Sequence, residues 1–403
     1  MYNLQLMSTL PQIILKPNKR GTFLARHPWV LEKSIVAPAS SPEDGAVVDL
    51  VSPEGRWIAR GIFNSRSYIR VRLYSWTPGE PLDEAFWRVR LQTAIELRRQ
   101  LGYDDPQGAA RLVFSEADGL SGLIVDRYCD HLVVQVAALA IAARVDLLVR
   151  LLVELTGPRG IVVRSDRKIA QAEGMELRDG LAWGEPLDAV TAIRENGILY
   201  RIDLSEGQKT GCYLDQRENR RAAAGYLGGR RVLDMCCYIG GFSLAAARHG
   251  PAREVLGVDS SDRAIQQAQA NARENALENI RFQSGECFQT LQGMVSAGER
   301  FGGVILDPPR FAASARSIDQ ALRAYHRLNR LGVELLEPGG ILITCSCSGR
   351  VTREEFRRTL FGVAQKTRRN LQLLEQRGAA PDHPVGISCP ETEYLKCFIC
   401  RVV

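Results

Sequence analysis

Residues Ile343-Thr344-Cys345-Ser346-Cys347-Ser348 place two thiols two positions apart, at the end of an apolar run that follows Gly339-Gly340. An ionised thiol is a strong nucleophile and can carry covalent catalysis. Upstream, Asp307-Pro308-Pro309-Arg310-Phe311 sets a carboxylate, a cation and an aromatic ring around two prolines. Prolines fix φ and remove backbone donors, so this loop is rigid and suited to the mouth of a pocket. Together the two segments suggest a nucleophile facing a bound planar base, with Asp307 able to hydrogen-bond its ring. Alternation along a strand puts Cys345 and Cys347 on one face and leaves both open as the nucleophile.

Three more carboxylates follow strand-like runs in chain order. Val232-Leu233-Asp234-Met235 leads into Cys236-Cys237-Tyr238-Ile239-Gly240-Gly241, Val258-Asp259 ends the next run, and Glu286 follows a third. A glycine turn that opens a helix at the carboxyl edge of a sheet lets the backbone approach a ligand. Asp259 is placed to accept both hydroxyls of a ribose, and Glu286 to meet an adenine amino group. The turn is not G-x-G-x-x-G, which weakens a dinucleotide reading. Taken singly, each acid is equally well explained as a helix N-cap or a loop brace. The ordered set is more specific.

These residues need a parallel sheet beneath them. From about Val190, strands fit at Arg231–Met235, Glu254–Val258, Ile280–Gln283, Gly303–Leu306 and Ile341–Thr344, with helices at Phe242–Arg248, Asp262–Asn275 and Asp319–Leu336. That alternation predicts an α/β fold with helices on both faces of the sheet. Earlier in the chain, Gln12–Leu15, Ala46–Val51, Trp57–Phe63 and Ile69–Tyr74 are short β-type runs broken by Gly and Pro, the pattern of a small barrel. Thr77-Pro78-Gly79-Glu80-Pro81 marks a boundary. Beyond it, a helix capped by Asp83 and running to about Leu101 precedes strands at Leu112–Ser115, Leu123–Arg127 and Leu132–Ala137. A helix near Ala143–Leu155 completes a small α+β middle domain, and Arg178–Leu187 reads as loop. The expected domains are 1–78, 79–188 and 189–403.

With 403 residues, 45% hydrophobic and 24% charged, the chain is an ordinary globular one with room for sizeable cores. No apolar run reaches membrane-spanning length, and the first twelve residues lack a signal-peptide pattern, so a cytoplasmic protein is expected. Nine of ten cysteines lie beyond residue 200, in no framework spacing, which favours reduced thiols. Cys397-Phe398-Ile399-Cys400 has CxxC spacing, but on a strand its thiols point to opposite faces; core burial is the expectation, and no metal site. Of the net charge of +6, +5 belongs to the first 79 residues, where ten Lys/Arg face five Asp/Glu. A basic module on a neutral body suggests a polyanionic partner, a nucleic acid, with Lys19, Arg20 and Arg26 among the candidate contacts.

The set strand-Asp234-x5-Gly240-Gly241, strand-Asp259 and strand-Asp307-Pro308-Pro309 resembles the class I S-adenosylmethionine-dependent methyltransferases over residues 190–403. The resemblance implies S-adenosyl-L-methionine as cofactor. Cys236, Tyr238 and Gly240 would lie beside its methionine part, Asp234 on the loop or the methionine amine, Asp259 on the ribose and Glu286 near the adenine. Arg310 between the second proline and Phe311 is similar to pyrimidine-C5 methyltransferases. Those enzymes add a thiolate to C6 so that C5 can attack a methyl group. In the RNA cytosine-C5 enzymes, the strand after the glycine pair ends in Thr/Ser-Cys-Ser, a register that falls on Ser346-Cys347-Ser348. By that register Cys347 is the nucleophile and Cys345 is buried inside the strand. The Nop2/Sun branch carries a second cysteine after its loop proline, where this chain has Pro309-Arg310. The base for product release is therefore unassigned, with Asp382, His383 and Glu391 as candidates.

Further segments extend the resemblance. Arg26-His27-Pro28-Trp29-Val30, Glu116-Ala117-Asp118-Gly119-Leu120-Ser121-Gly122-Leu123, Gly207-Gln208-Lys209-Thr210-Gly211 and Leu214-Asp215-Gln216-Arg217 join the two catalytic segments. Together they resemble the RlmI family of bacterial ribosomal-RNA large-subunit methyltransferases essentially end to end. The family implies an N-terminal PUA β-barrel, a small α+β central domain and a Rossmann-like catalytic domain with a seven-stranded, mostly parallel sheet. It also implies 5-methylcytosine formation in 23S rRNA, on a base flipped from folded RNA. Gln216 then lines the cofactor, and Lys209, Arg217 and Arg310 join the RNA contacts, which position without reading sequence. The alternatives are a uracil-C5 or amino-directed methyltransferase on the same fold, or a non-catalytic rRNA-binding or assembly protein. The oligomeric state is open, a homodimer included.

Overall fold

The computed structural model describes residues 10–37, 40–176, 178–188, 190–204, 212–311 and 318–403. They fall into two compact units. The first takes in the residues up to 188 together with Asp382–Thr392, and the second the remainder.

The first unit opens with β1 (Gln12–Ile14), α1 (Arg20–Leu24), β2 (Trp29–Leu31), β3 (Val47–Val51), β4 (Trp57–Phe63) and β5 (Ile69–Ser75). They form one sheet in the order β1-β3-β4-β5-β2, antiparallel except for β1 and β3. Alternate residues Ile13, Val48, Leu50, Val71 and Leu73 turn inward as its core. Then come α2 (Glu84–Gln100), β6 (Ala109–Phe114), β7 (Leu123–Tyr128), β8 (His131–Val136), α3 (Leu139–Ala142), α4 (Val145–Thr156), β9 (Gly160–Ser165), α5 (Arg167–Glu173) and β10 (Gly180–Gly184). Asp83 caps α2 as expected, accepting from the Phe86 amide at 3.0 Å. The second sheet runs β10-β9-β8-β7-β6 over a core built on Trp87, Leu91, Val125, Leu148 and Leu152. The stretch expected as loop at Arg178–Leu187 holds β10, paired antiparallel to β9 across a bulge. Its five residues begin and end in glycine and four of them are exposed, so no alternation revealed a strand.

The second unit begins with a hairpin, β11 (Val190–Glu195) and β12 (Ile198–Asp203), turning at Asn196-Gly197 with φ of 50° and 76°. Asn-Gly is the standard pair for such a turn, a signal that identifies this hairpin in the sequence. There follow α6 (Arg217–Ala224), β13 (Arg231–Met235), α7 (Gly241–Arg248), β14 (Glu254–Asp259), α8 (Asp262–Glu274), β15 (Ile280–Ser284), α9 (Cys287–Ser296) and β16 (Phe301–Leu306). The unit closes with α10 (Ile318–Glu334), β17 (Leu336–Ser346), α11 (Arg353–Thr367), β18 (Leu371–Arg377) and β19 (Lys396–Val402). The seven strands order as β15-β14-β13-β16-β17-β19-β18, with five parallel and β19 antiparallel to both neighbours. One face packs Ala223, Phe242 and Ala246 against Val232, Ile305, Ile343 and Cys345. The other packs Leu291, Leu328, Tyr325 and Phe356 against Leu233, Val304, Leu342 and Phe398. The expected doubly covered parallel sheet is thus present. Cys397 lies on the first face and Cys400 on the second, as their spacing predicts for a strand.

Candidate active site

β16 and β17 run parallel with Leu306 opposite Thr344, so their carboxyl ends emerge side by side. That pairing brings together two segments that lie far apart in the chain. Cys347, the first residue beyond β17, is half-buried, with Sγ 4.0 Å from the Pro308 carbonyl oxygen. Cys345 is fully buried opposite Cys397, and burial pushes its thiol well above the ordinary range. The two cysteines therefore differ in access although they stand two residues apart.

Asp307 is held from the side. Its Oδ1 accepts from Gln216 Nε2 at 3.1 Å, and Gln216 Oε1 accepts from Asn219 Nδ2 at 2.6 Å. Asn219 also donates to the Gly378 carbonyl at 2.9 Å. Gln216 is 2% exposed, so it serves as a brace for the carboxylate.

The turn after β13 bends through three left-handed residues in five: Cys236 at φ 64°, Tyr238 at 50° and Gly240 at 88°. For side chains other than glycine this conformation costs roughly 1–2 kcal/mol per residue, strain typical of ligand-binding loops. The Cys237 amide donates to Val258 O at 3.0 Å and the Tyr238 amide to Asp259 Oδ2 at 2.9 Å, tying the turn to β14. Asp259 Oδ1 takes the Ser261 amide at 3.0 Å. Glu286 is exposed and caps α9 through the Gln289 amide at 2.9 Å, the brace role open to any of these acids.

Asp234 is different. It is 1% exposed; Oδ2 accepts from Ser243 Oγ at 2.6 Å, while Oδ1 is buried with no hydrogen-bond partner. Burial pushes its carboxyl up to about 7, with Ser243 lowering it and the fields of Asp307 and Asp259 raising it. A buried acceptor without a donor fits a ligand ammonium. Asp234, the strained turn and Asp259 together fit the methionine and ribose parts of S-adenosylmethionine.

Sequence reasoning missed two residues here. Tyr213 meets Tyr238 edge-on at 5.5 Å, and its hydroxyl is pushed up by burial and by the fields of Asp307 and Cys347. Its backbone is clamped by Arg220, whose Nη1 donates to Tyr213 O at 3.0 Å while Nε and Nη2 grip Glu195 at 2.8 and 2.6 Å. Lys396 is 2% exposed in β19 and its ammonium donates to Ser348 O at 2.7 Å. A single charge in Leu395-Lys396-Cys397-Phe398-Ile399-Cys400 was the available signal.

The expected RNA contacts scatter. Lys19, Arg20 and Arg26 are exposed around α1 in the first unit, and Arg310 is exposed after Pro309 in the second. Arg217, expected at the RNA, is instead 7% exposed against Glu195 at 3.5 Å, a partner that the β11–β12 hairpin delivers. Lys209 lies outside the described residues. Of the proposed bases, Asp382 accepts from the Arg111 amide at 3.1 Å and contacts His383 Nδ1 at 2.8 Å, both inside the first unit. Glu391 meets His27 Nε2 at 3.3 Å. Cys389 joins that pair to bring three ligand-type atoms within 4.8 Å. The Trp29 amide donates to His27 Nδ1, however, which leaves the proton on Nε2 facing Glu391. An ordinary hydrogen bond accounts for the cluster.

The family model described as S-adenosylmethionine-dependent methyltransferase matches residues 120–385, and that of a PUA-like domain matches residues 13–76. A protein of Aeromonas hydrophila named ribosomal RNA large subunit methyltransferase I is 38% identical, over 96% of this chain and 98% of its own length. A protein of the same name from Tolumonas auensis is 39% identical, over 97% and 99%. Among solved structures, a SAM-dependent methyltransferase from Streptococcus mutans superposes with a TM-score of 0.84 at 20% identity, covering 97% of this chain and all of that one. The methyltransferase SMU.776, solved as a complex with SAH, does so at 0.85 with 20% identity and the same coverage. At that identity these structures speak for the fold.

Proposed function

This chain belongs to the S-adenosylmethionine-dependent methyltransferases of the ribosomal RNA large subunit methyltransferase I family, and from that premise we propose that it forms 5-methylcytosine in 23S rRNA through a covalent bond from Cys347 to C6. The observation that carries this reading is the accessible Cys347 thiol at the Asp307-Pro308 loop, beside a sealed Cys345. In this reading residues 1–78 and 79–188 position the RNA and residues 189–403 carry the chemistry. Asp234 holds the cofactor's ammonium, the Cys236–Gly240 turn its methionine part, Asp259 the ribose and Glu286 the adenine edge. When bound, the cofactor supplies an electrophilic methyl group.

C5 of cytosine is a weak nucleophile. The Cys347 thiolate adds to C6, and the C5=C6 electron pair becomes available at C5 for the methyl group. Asp307, steadied by Gln216, hydrogen-bonds the pyrimidine edge during the addition. Loss of the C5 proton then restores the double bond and expels the thiolate. Lys19, Arg20, Arg26 and Arg310 answer phosphates.

The test is Cys347→Ala, assayed on unmodified 23S rRNA by nucleoside mass analysis and on cofactor by calorimetry. Methyl transfer is expected to fall about 10⁴-fold or more with cofactor affinity retained. Undiminished 5-methylcytosine from the variant, or a product methylated on uracil or on an amino group, overturns the reading.

A further inference from the structure

Lys396 opens β19 opposite Ser346 of β17, one residue before Cys347. Its ammonium is buried, and the two bonds that fix it go to uncharged acceptors, Ser348 O at 2.7 Å and Tyr394 O at 2.9 Å. Tyr394 is itself anchored, its hydroxyl donating to Asp215 Oδ2 at 2.5 Å. No carboxylate among the described residues forms an ion pair with Lys396. Glu393 and Glu355 act on it from a distance, but Glu393 is taken by Arg353 at 2.7 Å and Glu355 by the Thr352 cap of α11. Arg353 opposes them.

Burying an ammonium without a counter-charge is costly, and burial draws Lys396 down to about 8, with the field of Cys347 the next influence and opposite in sign. Tyr213 and Tyr325 also feel Cys347, each also under the field of Asp307. Neither tyrosine nor Asp307 can contribute positive charge. Lys396 can, and it is tied to the carbonyl of the residue that follows the thiol.

We propose that the Lys396 ammonium is the counter-ion of the Cys347 thiolate, a positioning residue that keeps the nucleophile ionised at neutral pH. The inference rests on Cys347 being the nucleophile. The thiol proton passes to water and Lys396 keeps its own three. When sulfur bonds to C6 its negative charge moves into the pyrimidine, and the ammonium is left with its two carbonyls. When that bond breaks, the electron pair returns to sulfur beside its partner. The same cation thus favours both ionisation and release.

Lys396→Gln removes the charge and keeps a donor for Ser348 O. The readout is iodoacetamide alkylation of Cys347 against pH on the full-length protein, resolved by peptide mass. In the native protein the midpoint is expected below the ordinary thiol value of about 8.5. In Lys396→Gln it rises by about one unit, so alkylation at pH 7 slows severalfold, about tenfold at most, and Lys396→Arg keeps the native profile. Identical profiles for the native protein and Lys396→Gln overturn the proposal. Should Lys396→Gln fail to fold, the ultraviolet thiolate absorbance lost in Cys347→Ala gives the native midpoint directly, and a value at or above that of a free thiol is equally fatal. Full methylation by Cys347→Ala removes the nucleophile instead, an outcome distinct from an unshifted alkylation profile.

Discussion

Buried charge is treated differently in the two units. In the first, Arg60 grips Asp49 at 2.9 and 3.2 Å, Arg98 grips Asp118 at 2.7 and 2.8 Å, and Arg111 grips Asp126 at 2.8 Å twice. Arg72 bridges Glu116 and Glu173. In the second, Asp234 keeps one carboxylate oxygen without a donor and Lys396 has only carbonyls, although Glu195 and Arg220 pair in the same unit. Two-toothed ion pairs complete each other and serve the scaffold. A buried charge left half-answered at the carboxyl edge of a parallel sheet awaits a ligand or a reaction step.

The comparison can be broken most severely at Arg98. Besides Asp118, its guanidinium donates to Arg111 O and Asp382 O, each at 2.8 Å. Arg98→Met leaves Asp118 buried and unpaired, and unfolding in urea should show a loss of about 3–5 kcal/mol. Cofactor affinity of the folded fraction should stay within about twofold. A stability change below about 1 kcal/mol removes the scaffold role.

Asp234→Asn should act in the opposite sense. The Asp234 carboxyl stands at about 7 against an ordinary 3.8, so between those values the folded protein holds a proton that the unfolded chain has lost. Stability contributed by this group therefore falls as pH rises through that window. The asparagine variant of the cofactor-free protein should gain about 2 kcal/mol at pH 8 and bind S-adenosylmethionine at least about tenfold more weakly. The native affinity should rise with pH through 7, because only the carboxylate answers an ammonium, and that rise should vanish in the variant. A variant that binds normally and is no more stable contradicts the assignment.

The smallest effects belong to the exposed cations. Replacing Lys19, Arg20 or Arg26 by Ala should weaken RNA binding by roughly 1 kcal/mol or less each, lower its salt dependence by about one ion and leave the thermal midpoint unchanged. Loss of stability without loss of RNA affinity would place them with the scaffold.

Much of this contrast was legible in residue order. The strands that carry Asp234 and Asp259 and the one that leads into Asp307 stand where alternation of strand and helix predicted them, and Asp83 caps its helix at the expected residue. The misreadings share a cause. Arg217, read as an RNA contact, is buried against Glu195, twenty-two residues earlier, a partner brought to it by the hairpin at Asn196-Gly197. The β10 strand escaped notice because an exposed edge strand bounded by glycines carries no alternation. Part of the early positive charge proved to be spent within the fold: Arg60, Arg70 and Arg72 answer Asp49, Glu32, Glu116 and Glu173.

By itself the sequence determined the sheet, the order of its acids and the close spacing of the two cysteines. Those follow from local periodicity, which depends on neighbours along the chain. The family register pointed to Cys347 over Cys345; the tertiary structure supplies the physical reason Cys345 is sealed, because its burial requires Cys397 on a strand that comes much later in the chain. It alone set Lys396 against the carbonyl of Ser348, next to Cys347, and left Asp234 Oδ1 without a donor. Charge compensation is a property of space, fixed when β17 and β19 pair and indifferent to distance along the chain.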